Sequence, residues 1–246
     1  VAAAGAGGTY YASRSALAAQ GGYVRRNFGY YNCFRPVWYR RYPGAWFAAG
    51  WLAGTAWTGA TWSDVSGYCE YPAEPVYYDY GSSVVSQGDV MYVNGDPVGT
   101  TVEYEQQAVQ IADAGLPPPD AAAAPPPPQG DDWKPLGVFA MVQPDQSTST
   151  NIFQLALNKE GLLRGNYYNA LTDTTEPIYG SVDAKTQRAA WTVADKKIPV
   201  YEVGIANLTL DQTTMLVHFG EGRSEQFSLV RIEAPEDAPA EASSTR

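Results

Sequence analysis

Between residues 131 and 234 apolar side chains recur at every second position, in about eight short runs separated by polar turns. Phe139 and Met141 begin the pattern, and Phe153, Leu155 and Leu157 repeat it before the turn Asn158-Lys159-Glu160-Gly161. Leu163, Gly165 and Tyr167 follow, then Ile178, Gly180 and Val182, then Ala189, Trp191 and Val193. Tyr201, Val203 and Ile205, then Met215, Val217 and Phe219, then Phe227 and Leu229 complete the series. Alternation with period two puts one set of side chains on one face of a strand. Connections this short cannot make parallel crossovers. The stretch is therefore expected to be an antiparallel meander of about eight strands, closed as a small barrel or folded as a sandwich. A barrel of this size can hold one small ligand. Here the inward set is bulky (Phe139, Met141, Phe153, Leu155, Leu157, Trp191, Val217, Phe219 and Phe227), so the interior is expected to be filled by the chain itself.

The pattern ends upstream at a sharp change in composition. Residues 116–130 read LPPPDAAAAPPPPQG, with seven prolines in fifteen residues. Proline fixes φ and has no backbone donor, so this stretch reads as an extended polyproline-type spacer, able to hold two modules several nanometres apart. The expected organisation is a flexible start at 1–8, an aromatic and glycine-rich module at 9–115, a linker at 116–130, a β module at 131–234 and an acidic tail at 235–246. The fold class is then α+β in front and all-β behind.

In the front module a helix is expected from Ser13 to Arg26, weakened by Gly21 and Gly22. A second is expected from Pro43 through about Ala56, with Pro tolerated in its first turn. Gly50 and Gly54 would line one face of it. Val76-Tyr77-Tyr78-Asp79-Tyr80 and Val90-Met91-Tyr92-Val93 read as strands, and Asn94-Gly95 as a tight hairpin turn. Thr100 followed by Glu103 is a capping box, and Gly115 and Pro117 end the helix it opens. Trp46, Trp51, Trp57 and Trp62 bring large rigid surfaces to one region. Two readings stand: the core of a small domain, or an intersubunit or ligand-facing surface.

Charge is segregated along the chain. Residues 1–42 carry six arginines (Arg14, Arg25, Arg26, Arg35, Arg40 and Arg41) and no acid, whereas residues 43–132 carry twelve acids and no base. Either the two stretches neutralise each other within one molecule, or each meets the opposite patch on a neighbouring copy. The net charge of -10 makes wrapping of nucleic acid a poor reading.

Little here points to catalysis. With one histidine, His218, and two cysteines, no His-cluster or Cys-cluster metal site can be assembled and no cofactor is expected. His218 lies between Val217 and Phe219, on the face opposite the inward set, so a surface or partly packed side chain is expected there. No Ser-His-Asp relay can be placed around it. Asp64, Glu70, Glu74 and Asp79 lie near aromatics, the composition of a sugar-binding groove, but spacing does not bring any two of them together. Gly161 and Gly165 lack the strand-to-helix context of a phosphate loop and read as turn and barrel-bend residues. Gly44 to Ser63 has twenty residues without a charge. Its tryptophans, glycines and threonines make it far less oily than a membrane span.

Several features point outward from the cell. Val1 in place of Met, followed by small residues to Gly8, reads as the end left by signal-peptide removal. Cys33 and Cys69 are expected to form one disulfide. Its loop of about 36 residues would contribute roughly 3–4 kcal/mol. Asn207-Leu208-Thr209 is a formal N-glycosylation triplet.

A set of longer motifs runs through the chain: Tyr42-Pro43-Gly44-Ala45-Trp46-Phe47-Ala48-Ala49-Gly50-Trp51, Val93-Asn94-Gly95-Asp96-Pro97-Val98-Gly99-Thr100 and Leu136-Gly137-Val138-Phe139-Ala140. Gly165-Asn166-Tyr167-Tyr168, Thr186-Gln187-Arg188-Ala189-Ala190-Trp191-Thr192-Val193 and Val217-His218-Phe219-Gly220 continue it. In this order they resemble a family of secreted planctomycete proteins of unknown function, some labelled protocadherin-like cell-surface proteins. The resemblance covers most of residues 36–232 outside the proline segment. It implies export, a cell-surface or extracellular setting and no known catalytic residues.

The expected function is a secreted structural protein, the self-assembling subunit of a surface filament, sheath or extracellular matrix. Its partners would be other copies of itself. The residues expected at the contact are Trp46, Trp51, Trp57 and Trp62, with Arg25, Arg26, Arg40 and Arg41 orienting it. The alternative is a monomeric carbohydrate-binding module that stacks cell-surface polysaccharide on Tyr and Trp.

Overall fold

The computed structural model describes residues 14–51, 54–117, 132–144 and 146–234. The chain starts with α1 (Arg14–Asn27) and α2 (Pro36–Arg41), makes one 3-10 turn at Thr55–Trp57, and continues to α3 (Trp62–Cys69). A three-stranded antiparallel sheet follows, β1 (Val84–Gln87), β2 (Val90–Val93) and β3 (Asp96–Thr100), leading into α4 (Thr101–Ala114). Eight strands complete the chain: β4 (Trp133–Val142), β5 (Asn151–Asn158), β6 (Leu162–Asn169), β7 (Thr174–Asp183), β8 (Arg188–Val193), β9 (Val200–Gly204), β10 (Gln212–His218) and β11 (Ser224–Ile232). They form a closed antiparallel barrel in the order β10-β11-β4-β5-β6-β7-β8-β9, with β9 pairing back onto β10.

The alternating set predicted to point inward does so. Phe139, Met141, Phe153, Leu155, Leu157, Leu163, Ile178, Trp191, Val217 and Phe227 are buried in one cluster, with Phe219 packed against it. Towards one mouth Phe153 meets Trp191, Tyr201 and Tyr167 at centroid distances of 5.6, 5.1 and 5.3 Å. The same cluster takes in Val65 of α3, with Trp62, Cys69 and Tyr71 packed on it. Thr61 caps α3 in a capping box with Asp64. The cap fixes where this short helix begins, and so which face it turns to the barrel.

The outer wall is buried as well, and the front half of the chain covers it. Val24, Phe28, Cys33, Phe34, Trp38 and Trp57 pack on Val138, Ala140, Val142, Ile152, Val230 and Ile232. Tyr78, Tyr80, Met91 and Tyr104 pack on Leu216, and Ala108 and Ala112 of α4 on Ala190 and Val200. Small residues permit this close approach. A Cβ at Gly21 of α1 would fall 1.7 Å from the Gln212 side chain of β10. The glycine that weakens α1 as an isolated helix is thus what lets it lie against the wall.

The capping box at Thr100 and Glu103, the helix after it and the Asn94-Gly95 turn are as predicted, with φ of +54° and +90° in the turn. Several expectations are corrected. No helix runs from Pro43 to Ala56, because Gly50 and Gly54 take φ of +91° and +89°, outside the right-handed helical region. The backbone of Trp46 instead bonds the side chain of Asn166: its N–H donates to Oδ1 at 2.7 Å and its carbonyl accepts from Nδ2 at 2.8 Å. The segment at 76–80 is extended but joins no sheet ladder as a strand, apart from one bridge between Tyr80 and Val84. Cys33 and Cys69 are both free thiols. Cys33 lies in the layer outside the barrel wall and Cys69 packs against the cluster inside it, so the wall stands between them. The readings of residues 1–8, of the proline segment beyond Pro117 and of the tail at 235–246 fall outside the described residues.

Candidate functional site

The densest chemistry lies on the outer wall beneath α4, centred on Glu202 of β9. Glu202 takes an outward position on its strand, between the inward Tyr201 and Val203. It is nevertheless fully buried, because Tyr80 and Tyr104 close over it. Its Oε1 accepts from the Tyr80 hydroxyl at 2.8 Å, the Tyr104 hydroxyl at 3.0 Å and Arg188 Nε at 2.7 Å. Its Oε2 lies 2.7 Å from His218 Nε2, and His218 Nδ1 lies 2.8 Å from Ser224 Oγ. Burial alone would raise the carboxyl pKa. The Arg188 guanidinium and the imidazole hydrogen bond outweigh that and hold it well below the usual carboxylate range. An ionised carboxylate only accepts, so Nε2 of His218 carries the proton it shares with Glu202.

Arg188 belongs to the same cluster. It is drawn over the Tyr104 ring at 3.9 Å, and it donates to Gln107 and to the Tyr104 carbonyl of α4. Burial pushes the Tyr80 and Tyr104 hydroxyls well above their ordinary pKa, so both stay protonated as donors.

A hydroxyl, an imidazole and a carboxylate therefore do line up, which spacing alone did not place. His218 corrects the expectation of a surface or partly packed side chain: it is 1% exposed, because α4 and the Tyr78–Tyr80 stretch cover the face on which it sits. Working as a general base needs access to a reacting proton. Here both ring nitrogens are engaged and the carboxylate is saturated by four donors. The chemistry such an arrangement performs is fixation: it ties α4, the 78–80 segment, β8, β9 and β10 to one charge. Among the described residues no three His, Cys, Asp or Glu side chains form a metal site, and no helix is long and apolar enough to cross a membrane.

The residues predicted at an interface are distributed as follows. Trp57 is buried on the outer wall. Trp62 packs at the barrel mouth and donates its indole N–H to the Ala73 carbonyl at 2.7 Å. Trp46 and Trp51 are half-buried and meet edge-on at 5.6 Å, with Trp133 edge-on to Trp46 at 5.1 Å. Arg25 donates inward to the Asp211 and Arg231 carbonyls. Arg26 and Arg40 are exposed, and Arg41 is paired with Asp173 at the surface. Of the acids weighed for glycoside chemistry, Asp64 is engaged in the cap of α3 and Asp79 borders an open, mainly apolar groove of about 500 Å³. Asn207 is 3% exposed, and its amide bonds Tyr78 on both backbone groups and Thr213. In the folded chain the glycosylation triplet is closed to modification.

Sequence reasoning missed the whole Glu202 cluster. Two signals for it were present: a lone acid inside an apolar strand, Tyr201-Glu202-Val203, and Arg188 beginning another. Compared with known protein families, with curated proteins and with solved structures, the chain matches none.

Proposed function

We propose that the protein is a self-assembling structural subunit of an extracellular or cell-surface layer, whose copies meet basic side to acidic side. The observation that carries this reading is the placement of the segregated charge. The arginine-bearing α1 and α2 region lies over β10, β11, β4 and β5, and α4 lies over β7, β8 and β9, across the barrel. Exposed Arg26 and Arg40 mark one side; exposed Asp89, Asp96, Glu103 and Asp113 mark the other. Opposite charges kept apart on one rigid body favour a heterologous contact, which propagates from copy to copy. Tyr23 and Val37, 55% and 62% exposed, add apolar area on the basic side.

The tryptophans contribute differently from the sequence expectation: they pack on the chain's own barrel, on neighbouring loop residues and on one another. That arrangement also weighs against the carbohydrate-binding alternative, which needs rings presented flat to solvent. The extracellular setting rests on the family resemblance, since the cysteine pairing that also pointed outward is absent.

Light scattering across a concentration and salt series tests the proposal. Association that grows with concentration and weakens with salt is expected. Arg26→Glu with Arg40→Glu should abolish it, and mixing that variant with Asp113→Arg protein should restore part of it. A monodisperse monomer across the whole series overturns the reading.

A further inference from the structure

The array that fixes the outer wall has one end within reach of solvent. Ser224 opens β11 and pairs across the ladder with His218, which ends β10. His218 is buried, whereas Ser224 is half-buried. An outside molecule therefore meets the serine and not the imidazole. Nε2 of His218 keeps the proton it shares with Glu202 at 2.7 Å, so in the neutral imidazole Nδ1 carries no hydrogen. Across 2.8 Å the Ser224 hydroxyl then donates to Nδ1. The proton that His218 is placed to take is thus the serine's own. Arg188, Tyr80 and Tyr104 hold the carboxylate from its other sides, which keeps the imidazole oriented. A hydroxyl, a base within hydrogen-bond reach and a third group that orients the base make an activated nucleophile.

The backbone leading to Ser224 is held in an uncommon shape. Gly220, Glu221 and Gly222 take φ of +95°, +60° and +74°, and a glutamate in that region is uncommon. Such residues persist where their surroundings over-determine them, and they cluster at active sites. Here Phe219 N–H donates to the Arg223 carbonyl at 2.9 Å and Arg223 N–H to the Gly220 carbonyl at 3.0 Å. Gly222 N–H donates to Glu105 Oε2 at 2.6 Å, which ties the turn to α4. Thr101 and Val102 of α4 lie beside Gly222, and Val102 is 43% exposed, so an apolar side chain borders the turn. We propose that Ser224 is a nucleophile that accepts a short apolar acyl group from a small ester, with His218 as its base and Glu202 as a positioning residue. Oγ bonds the carbonyl carbon as its proton passes to Nδ1. The ester C–O bond then breaks, and the alcohol leaves with that proton. Glu202 holds Nε2–H throughout, and the chain is left acylated at Ser224. This activity goes beyond the assembly reading and does not rest on it.

The test treats the full chain with diisopropyl fluorophosphate, whose phosphorus stands in for the carbonyl carbon and whose fluoride leaves as the alcohol would. The adduct is located by peptide mass spectrometry. Ser224 is expected to be labelled at least about 100-fold faster than the other serines, the usual contribution of a positioned base. The same chain unfolded in urea should lose that preference. Glu202→Gln separates orientation from mere packing: its amide can donate to Nε2, which moves the imidazole proton to Nδ1 and removes the acceptor Ser224 needs. Labelling of this variant, with native circular dichroism confirmed, should fall to the level of the other serines. Absence of preferential labelling at Ser224 in the folded native chain overturns the proposal, whatever the variant does. A preference that survives in urea, or in folded Glu202→Gln, overturns it as well.

Discussion

Glu202 and Arg188 form a buried ion pair at 2.7 Å, with side chains 0% and 4% exposed. Removing one member of such a pair leaves the other charged and without compensation, which costs about 3–5 kcal/mol. Glu202→Gln is expected to lower stability by that amount, read as a shift of the urea midpoint with an unchanged slope. The pair also carries a pH dependence. The folded pKa of Glu202 lies below its unfolded value of about 4.3. Its contribution is therefore complete above that value and is lost as pH falls towards the folded one. Acidification below about pH 4 should lower the midpoint of the native protein more steeply than that of Glu202→Gln. At this scale the sequence was only half legible. Period two placed His218 on the outward face correctly, but what covers that face comes from residues about a hundred positions away.

Side-chain amides do for the front half what a sheet ladder does for the barrel. Asn207 bonds both backbone groups of Tyr78, Gln187 accepts from Val76 N–H, Thr214 accepts from Tyr80 N–H, and Gln226 donates to the Tyr80 carbonyl. Asn166 treats Trp46 in the same way, and Gln20 of α1 reaches the Gln143 and Gln146 carbonyls. Alternate residues of the 76–80 segment are held like a strand, by side chains where a strand uses backbone. Its β-like sequence was read correctly as extended, but the strand expected there is held by side chains and is not part of a sheet. Asn207→Ala should cost about 1–3 kcal/mol, since it strands buried backbone groups, and should speed amide exchange at Tyr78. At α4, which is specified locally, the reading succeeded. The reciprocal bonds of Thr100 and Glu103 fix the start of α4. Thr100→Ala is expected to cost about 1 kcal/mol, measured by thermal unfolding. The helix expected after Pro43 failed because its glycines serve a path over the barrel, and no local pattern records that path.

Over the whole molecule, the barrel was legible because alternation is a local signal repeated strand after strand. The wrapping was not, although β4 (Gly137-Val138-Phe139-Ala140-Met141-Val142) is apolar on both faces, a sign that something covers the outside. Shared clusters on the wall tie front and back halves together. One cooperative thermal transition is therefore expected, with aromatic circular dichroism and strand signals changing together. Alkali should undo the same unit. Burial raises the folded pKa of Tyr80, Tyr104 and Tyr201 above the usual value near 10. Their contribution is complete below that value and is lost as pH rises towards the folded pKa. The share of tyrosinate absorbance that comes from these three side chains should accordingly appear together with unfolding above about pH 10.

Closure of the eight strands into a ring has a consequence for any material made from this protein. A hoop offers no free strand for a neighbour to extend, and the sheet of β1, β2 and β3 is short. Fibres or sheets of native subunits would stack as beads, not as a continuous cross-β ribbon. An oriented specimen should then lack the meridional reflection near 4.7–4.8 Å and leave amyloid dyes dark.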